Sequence, residues 1–167
     1  LEECIRSLTE QTLSDLELIF VDDGSTDASP QILEKYRALD PERIRVITRE
    51  NGGQGKARKV GLAAATGEYV GFVDSDDYVD RRMYAAMYTR AKPEDLDLVE
   101  CDFHYLEEDG REKRAYGSAA PWNKLIRRQL LTDNGIFFPE GYIYEDTSFY
   151  LKLRPYVKKQ AKMLGVY

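Results

Sequence analysis

The amino-acid sequence predicts an α/β domain with a mostly parallel sheet and helices on both of its faces. Two observations carry that prediction. Short apolar runs alternate along the chain with amphipathic stretches of helical length, the pattern of βαβ units. Two of those runs, Leu16 to Val21 and Glu68 to Val73, stop directly at clusters of aspartates. Open α/β sheets bind ligands beyond the carboxyl ends of their strands, so the pattern places both acidic clusters on one rim.

The elements follow in order. Residues 1–13 carry Cys4, Ile5, Leu8 and Leu13 at near-helical spacing among charged neighbours and predict an amphipathic helix. Its periodicity is already in force at residue 1, with no capping residue before it. Leu16 to Val21 predicts a buried strand. Asp27 or Ser29 caps the next helix, with Pro30 in its first turn, to about Leu39. Arg43 to Thr48 is a second strand, and Asn51-Gly52-Gly53 a turn into a helix that Gly67 closes after about Ala65. Glu68 to Val73 is a third strand. Asp80 caps a helix through about Arg90, Leu96 to Cys101 is a strand, and Phe103 to Lys113 forms a hairpin around Asp109-Gly110. Pro121-Trp122-Asn123-Lys124 leads into a helix to about Leu131. A loop over 137–141 follows, and Tyr144-Glu145-Asp146-Thr147 opens a last helix that ends near Pro155.

Composition narrows the class. The 167 residues suffice for one domain with a core, and 43% hydrophobic with 32% charged residues fit a folded chain. A net charge of −6 without a basic block speaks against nucleic acid as a partner. Cys4 and Cys101 lack metal spacing and read as reduced, buried hydrophobes of a cytoplasmic protein. The single histidine, His104, excludes any site that needs two. No apolar run approaches the roughly 20 residues of a membrane span. Peripheral association with a membrane-bound acceptor stays open.

Four constellations carry chemistry. Asp22-Asp23-Gly24-Ser25 at a strand end suits a base N–H or ribose hydroxyl, although alone it favours a plain turn. Asp74-Ser75-Asp76-Asp77 crowds three carboxylates into four residues, which a divalent cation would neutralise. Oxygen-only ligands suit Mn²⁺ or Mg²⁺, and such an ion would hold a diphosphate. Gly55-Lys56-Ala57-Arg58 offers cations at a helix start, but alone reads as a surface helix. Glu145-Asp146 alone reads as a helix cap; its functional reading is a general base.

In order along the chain, these pieces resemble the family 2 glycosyltransferases of the GT-A fold. The matching segments are Val-Asp-Asp-Gly-Ser-Thr-Asp at 21–27, Asn-Gly-Gly at 51–53, Ala-Arg at 57–58, Gly-Glu-Tyr-Val at 67–70, Asp-Ser-Asp-Asp at 74–77, Trp-Asn-Lys at 122–124 and Glu-Asp at 145–146. The resemblance implies an inverting transfer from a nucleotide-sugar, by default a UDP-sugar, to a hydroxyl of a glycan, lipid-linked or polymer acceptor. It implies that Asp22, Asp23, Arg58 and Asp74 bind the nucleotide and that Asp76, with Asp74, holds Mn²⁺ or Mg²⁺. Asp146 would be the catalytic base with Glu145 beside it, and Trp122 and Lys124 would lie on the acceptor side. The whole chain would form one catalytic domain, 1–113 for the donor and 114–167 for the acceptor and base. Two departures are expected to show. Lys59 stands where the family has asparagine, and the family's opening strand, of the type Ile-Ile-Pro-Val-Tyr-Asn, has no counterpart here. A sugar nucleotidyltransferase and a nucleotide-sugar-binding domain without catalysis are the rival readings.

Overall fold

The structure, a computed structural model, describes residues 1–107, 109–115, 117–139, 141 and 144–165. Helix α1 (Glu2–Thr9) leads to β1 (Leu18–Asp22), α2 (Ser29–Leu39), β2 (Ile44–Thr48), α3 (Gln54–Ala64) and the short β3 (Tyr69–Val70). Then come α4 (Met83–Glu94), β4 (Leu98–Cys101), the hairpin β5 (Phe103–Leu106) and β6 (Glu112–Ala115), and β7 (Lys124–Arg127). Helices α5 (Arg128–Asp133) and α6 (Glu145–Leu153), a 3₁₀ turn over Arg154–Tyr156 and β8 (Gln160–Met163) complete the chain.

The α/β prediction holds, with the sheet direction corrected. β1 and β2 pair in parallel, from Leu18 opposite Ile44 to Asp22 opposite Thr48. The other strands run β3-β7-β4-β8, where β7 is antiparallel to both β3 and β4 and only β4 with β8 is parallel. The sheet is therefore mixed, not mostly parallel. Its antiparallel member, β7, is the segment that reads in sequence as the start of a helix. Its residues Lys124, Leu125 and Ile126 are all buried, which a strand between two neighbours requires. The helix starts four residues later than expected.

Period-two alternation sends successive side chains to opposite faces. On one face Val99, Cys101 and Leu125 join Cys4 and Leu8 of α1 and Met83, Tyr84 and Met87 of α4. On the other, Leu98 and Ile126 join Leu62 of α3, Leu131 of α5 and Phe149 and Leu153 of α6. Helices thus cover both faces, as the sequence predicts. The second core cluster draws on residues from both the 1–113 and the 114–167 parts. Among the described residues, β1 and β3 share no ladder. A cleft of about 720 Å³ lies between them, lined by Leu16 to Val21 on one side and Gly67 to Ser75 on the other. β3 covers two residues instead of the expected six. Among the described residues, no helix is long and apolar enough to cross a membrane.

Candidate active site

The rim at the carboxyl ends of β1 and β3 gathers the acidic clusters as the strand pattern requires. At β1, Asp22 is buried and its Oδ1 accepts the Ser25 backbone N–H at 3.0 Å, so this carboxylate closes its own turn. Gly24 has φ +78°, and a Cβ there would stand 2.8 Å from the Asn51 backbone nitrogen. The freedom of that glycine serves a close backbone approach. Asp23 crosses the same gap. Its carboxylate accepts N–H groups from Gly52 (3.1 Å) and Gly53 (2.6 Å) and pairs with Arg49. Burial opposes its ionisation, but those N–H groups and the guanidinium outweigh it and hold the carboxyl below the usual range.

Gly53 precedes α3, whose first residue, Gln54, donates Nε2–H to Asp74 Oδ1 at 3.0 Å. One turn on, Arg58 is 8% exposed and bonds three carboxylates from two distant segments. Its Nη2 reaches Asp74 Oδ1 at 2.6 Å and its Nη1 reaches Glu145 Oε1 at 3.1 Å and also pairs with Asp146. Beneath it the Phe138 ring lies 5.2 Å from the guanidinium carbon, a cation–π contact. Gly55 permits the approach: a Cβ there would stand 2.7 Å from the Pro139 carbonyl oxygen. The glycine therefore serves helix packing, and Arg58 joins the donor-side cluster to the first turn of α6. Burial pushes the Asp146 carboxyl up, Arg58 pulls it down, and Glu145 and Asp74 add to the upward push; the net shift is upward. A carboxyl raised toward working pH is a better proton acceptor than an ordinary one.

Asp76 and Asp77 are exposed. Although its side chain reaches solvent, the Asp77 carboxyl is raised, first by the desolvation of surrounding protein and then by the charges of Asp74 and Asp76, so the crowding inferred from sequence is present. Among the described residues no group of three or more His, Cys, Asp or Glu gathers as a ready cation cage. The donor chemistry still fits a hard cation of the Mg²⁺ kind, which takes one or two carboxylates and completes its shell with water and phosphate oxygens.

The acceptor-side pair lies differently. Trp122 packs edge-on against Phe103 with centroids 4.4 Å apart. Lys124 is 1% exposed, and its Nζ donates to Ser118 O (2.6 Å), Ala120 O (2.8 Å) and Asn123 Oδ1 (2.7 Å). Those three bonds use every ammonium donor. Glu100 Oε2 stands 3.5 Å away, and the Tyr150 ring of α6 is 5.1 Å from Nζ. Lys124 thus points inward and ties β4, the 118–123 segment and α6 together. Lys124→Met is expected to cost about 3–5 kcal/mol, because it leaves the buried Glu100 with only the exposed Lys162, 3.7 Å from its Oε1. Urea denaturation measures this, and Glu100→Gln added to it should recover part of the loss.

Gln54, Arg49 and Phe138 are the residues that sequence reasoning missed. Gln54 follows the Asn-Gly-Gly turn directly, and Arg49 is the first residue after the strand paired with β1, so neighbour-strand logic finds both. Phe138 has no local signal.

The strand-end carboxylates on this rim are joined by a buried arginine to a second acidic pair at a helix start. Residues 1–150 match the glycosyl transferase family 2 model. The chain belongs to that family. Glycosyltransferase EpsJ of Bacillus subtilis (strain 168) is 49% identical over 176 residues, covering 90% of this chain and 51% of the relative. The chain thus spans about half the length of that curated relative. Staphylococcus aureus TarS 1–349, solved in complex with UDP, superposes with a TM-score of 0.83 at 28% identity, covering 99% of this chain and 56% of that one. The same TarS segment has also been solved with UDP-GlcNAc. The poly(ribitol-phosphate) β-N-acetylglucosaminyltransferase TarS of strain Mu50 is 33% identical over 83% of this chain and 27% of its own length. A mannosyltransferase from Pyrobaculum calidifontis, in complex with GDP-Man and Mn²⁺, shares the fold at a TM-score of 0.76 and 21% identity, covering 99% of this chain and 52% of that one.

Proposed function

We propose that the chain carries the donor-binding and catalytic machinery of an inverting glycosyltransferase. It moves a sugar from a UDP-sugar to a hydroxyl of a glycan or cell-surface polymer. The observation that carries this reading is the Arg58 junction, which sets Asp74 of the donor cluster and Asp146 of α6 on one guanidinium. The complexes of TarS with UDP and UDP-GlcNAc support the choice of nucleotide. Its polymer-directed name supports the acceptor class.

In this reading Asp23, fixed in place by the Gly52 and Gly53 N–H groups, meets the nucleoside end. Asp74 and Asp76 would hold Mn²⁺ or Mg²⁺, and that ion would supply positive charge against the diphosphate leaving group. Asp146 accepts the proton of the acceptor hydroxyl as that oxygen attacks the anomeric carbon from the face opposite the leaving phosphate. The C–O bond to phosphate breaks as the new glycosidic bond forms, and the configuration inverts. Glu145 shares Arg58 with the base and keeps it aimed at the rim.

Thermal shift tests the donor half. UDP-GlcNAc with Mn²⁺ at about 100 times its Kd is expected to raise the Tm by roughly 5–10 °C, from about 2.7 kcal/mol of linkage. GDP- and dTDP-sugars should do less. If no nucleotide-sugar shifts the Tm with or without Mn²⁺, donor binding by this chain is ruled out.

A further inference from the structure

Residues 71–82, between β3 and α4, form neither strand nor helix, and they carry Asp74, Asp76 and Asp77. Within this loop the Asp77 N–H closes a tight turn on Asp74 O at 3.1 Å. Carboxylates so close together repel one another. A loop that keeps them in one arrangement needs support from outside itself.

That support comes from the N-terminal segment. The Cys4 thiol donates to Asp74 O at 3.5 Å. Three residues on, and so on the same side of α1, Ser7 Oγ donates to Cys4 O at 2.8 Å and accepts the Val79 N–H at 3.2 Å. Gln11, just past the helix, is 7% exposed. Its Nε2 donates to Ser7 O at 3.0 Å and to Asp80 O at 2.7 Å, and its Oε1 accepts the Tyr84 N–H at 3.2 Å. Both N–H groups of that amide are thereby used. The Thr12 N–H adds a bond to Arg81 O at 2.8 Å. These contacts bracket the aspartates, with Asp74 on one side and Val79 and Asp80 on the other. A helix that merely covered the sheet could do so with apolar residues, as Leu8 does. Here polar side chains are aimed at the backbone of the acidic loop.

We propose that Ser7 and Gln11 are positioning residues for the cation loop, which they hold in one conformation before an ion arrives. The proposal rests on the glycosyltransferase reading, in which Asp74 and Asp76 would hold Mn²⁺ or Mg²⁺. An ion that meets a preformed loop does not have to order the chain, and its apparent affinity is higher for that reason. Groups that orient metal ligands without touching the metal typically carry about 10–100-fold in affinity.

The experiment uses the full chain and reads UDP affinity by calorimetry, once in excess Mn²⁺ and once in EDTA, below the Tm of every variant. The ratio of the two affinities isolates the share that depends on the cation. Ser7→Ala is expected to lower UDP affinity in Mn²⁺ by about tenfold and to leave it in EDTA at the wild-type value. Ser7→Thr keeps the hydroxyl and should restore the ratio. Gln11→Met, similar in length but without the amide, should lower the ratio through Asp80. An unchanged ratio in Ser7→Ala, whatever its Tm, overturns the proposal and leaves these bonds a role in stability alone. Equal losses in Mn²⁺ and in EDTA also overturn it, because the nucleoside contacts have then moved with the loop. A wild-type chain that binds UDP equally in both conditions overturns the cation reading beneath the proposal. One that binds no UDP overturns the glycosyltransferase reading itself.

Discussion

Asp146→Asn is expected to lower sugar transfer by about 10²–10⁴-fold, the usual contribution of a positioned general base. The amide matches the carboxylate in size and keeps an oxygen to accept from Arg58, so α6 has no reason to move. UDP affinity should therefore stay near the wild-type value, because the donor contacts proposed here lie on Asp23, Asp74 and Asp76. Initial rates with UDP-GlcNAc and a hydroxyl acceptor, beside calorimetric UDP binding, separate the two effects. Full transfer by this variant, or lost UDP binding with unchanged turnover per bound donor, would remove Asp146 from the role of base. Glu145→Gln should be milder, since that side chain shares the guanidinium without being placed to take the proton.

Arg58→Ala is expected to cost about 3–5 kcal/mol of stability, the range for breaking a buried charge network by removing one partner. Three carboxylates, on Asp74, Glu145 and Asp146, lose their shared cation, and Arg58 is 8% exposed, so water screens them poorly. The guanidinium also covers the Phe138 ring. Urea denaturation at pH 7 measures the loss as a lower midpoint. Arg58→Ala combined with Asp146→Asn should lose less than the sum of the two single changes, because each removes part of the same interaction. Additive losses would mean that the pair contributes nothing in solution. Arg58→Lys should recover little, since one ammonium cannot reproduce a planar fork that meets several oxygens at once.

These two residues also mark what the sequence discloses. Asp22, Asp23 and Asp74 to Asp77 are legible because strands of apolar residues stop at them, and local pattern is enough to put them on one rim. Glu145 and Asp146 are legible as a helix start and, through the family resemblance, as base and neighbour. The link between the groups is not local. Arg58 lies 16 residues from Asp74 and 88 from Asp146, and nothing in a cationic helix start announces that it is buried under three carboxylates. β7 is hidden for a related reason. Lys-Leu-Ile-Arg runs unbroken into the helical Arg128–Asp133, and a lysine argues against a fully buried strand until its three backbone and amide acceptors are seen. β8 escapes because it alternates exposed with half-buried residues, and Gln160 and Lys162 take the exposed positions. Such short polar strands blunt the edge of a sheet and carry little apolar signal.

The place of β7 has a consequence for how the molecule comes together. β3, which leads into Asp74, has β7 as its ladder partner, and β7 stands between β3 and β4. Residues 69–70 therefore wait for residues 126–127 to complete their ladder, and with them the three residues between β3 and the aspartate cluster. A ribosome must deliver most of the chain before this part of the donor rim acquires its shape, whereas β1 and β2 can join through a much shorter loop. Late, long-range closure of this kind is slow relative to local pairing. Until β7 has been made and paired, the segment carrying the aspartates lacks its ladder partner, so the rim takes its shape only after residues 124–127 are in place.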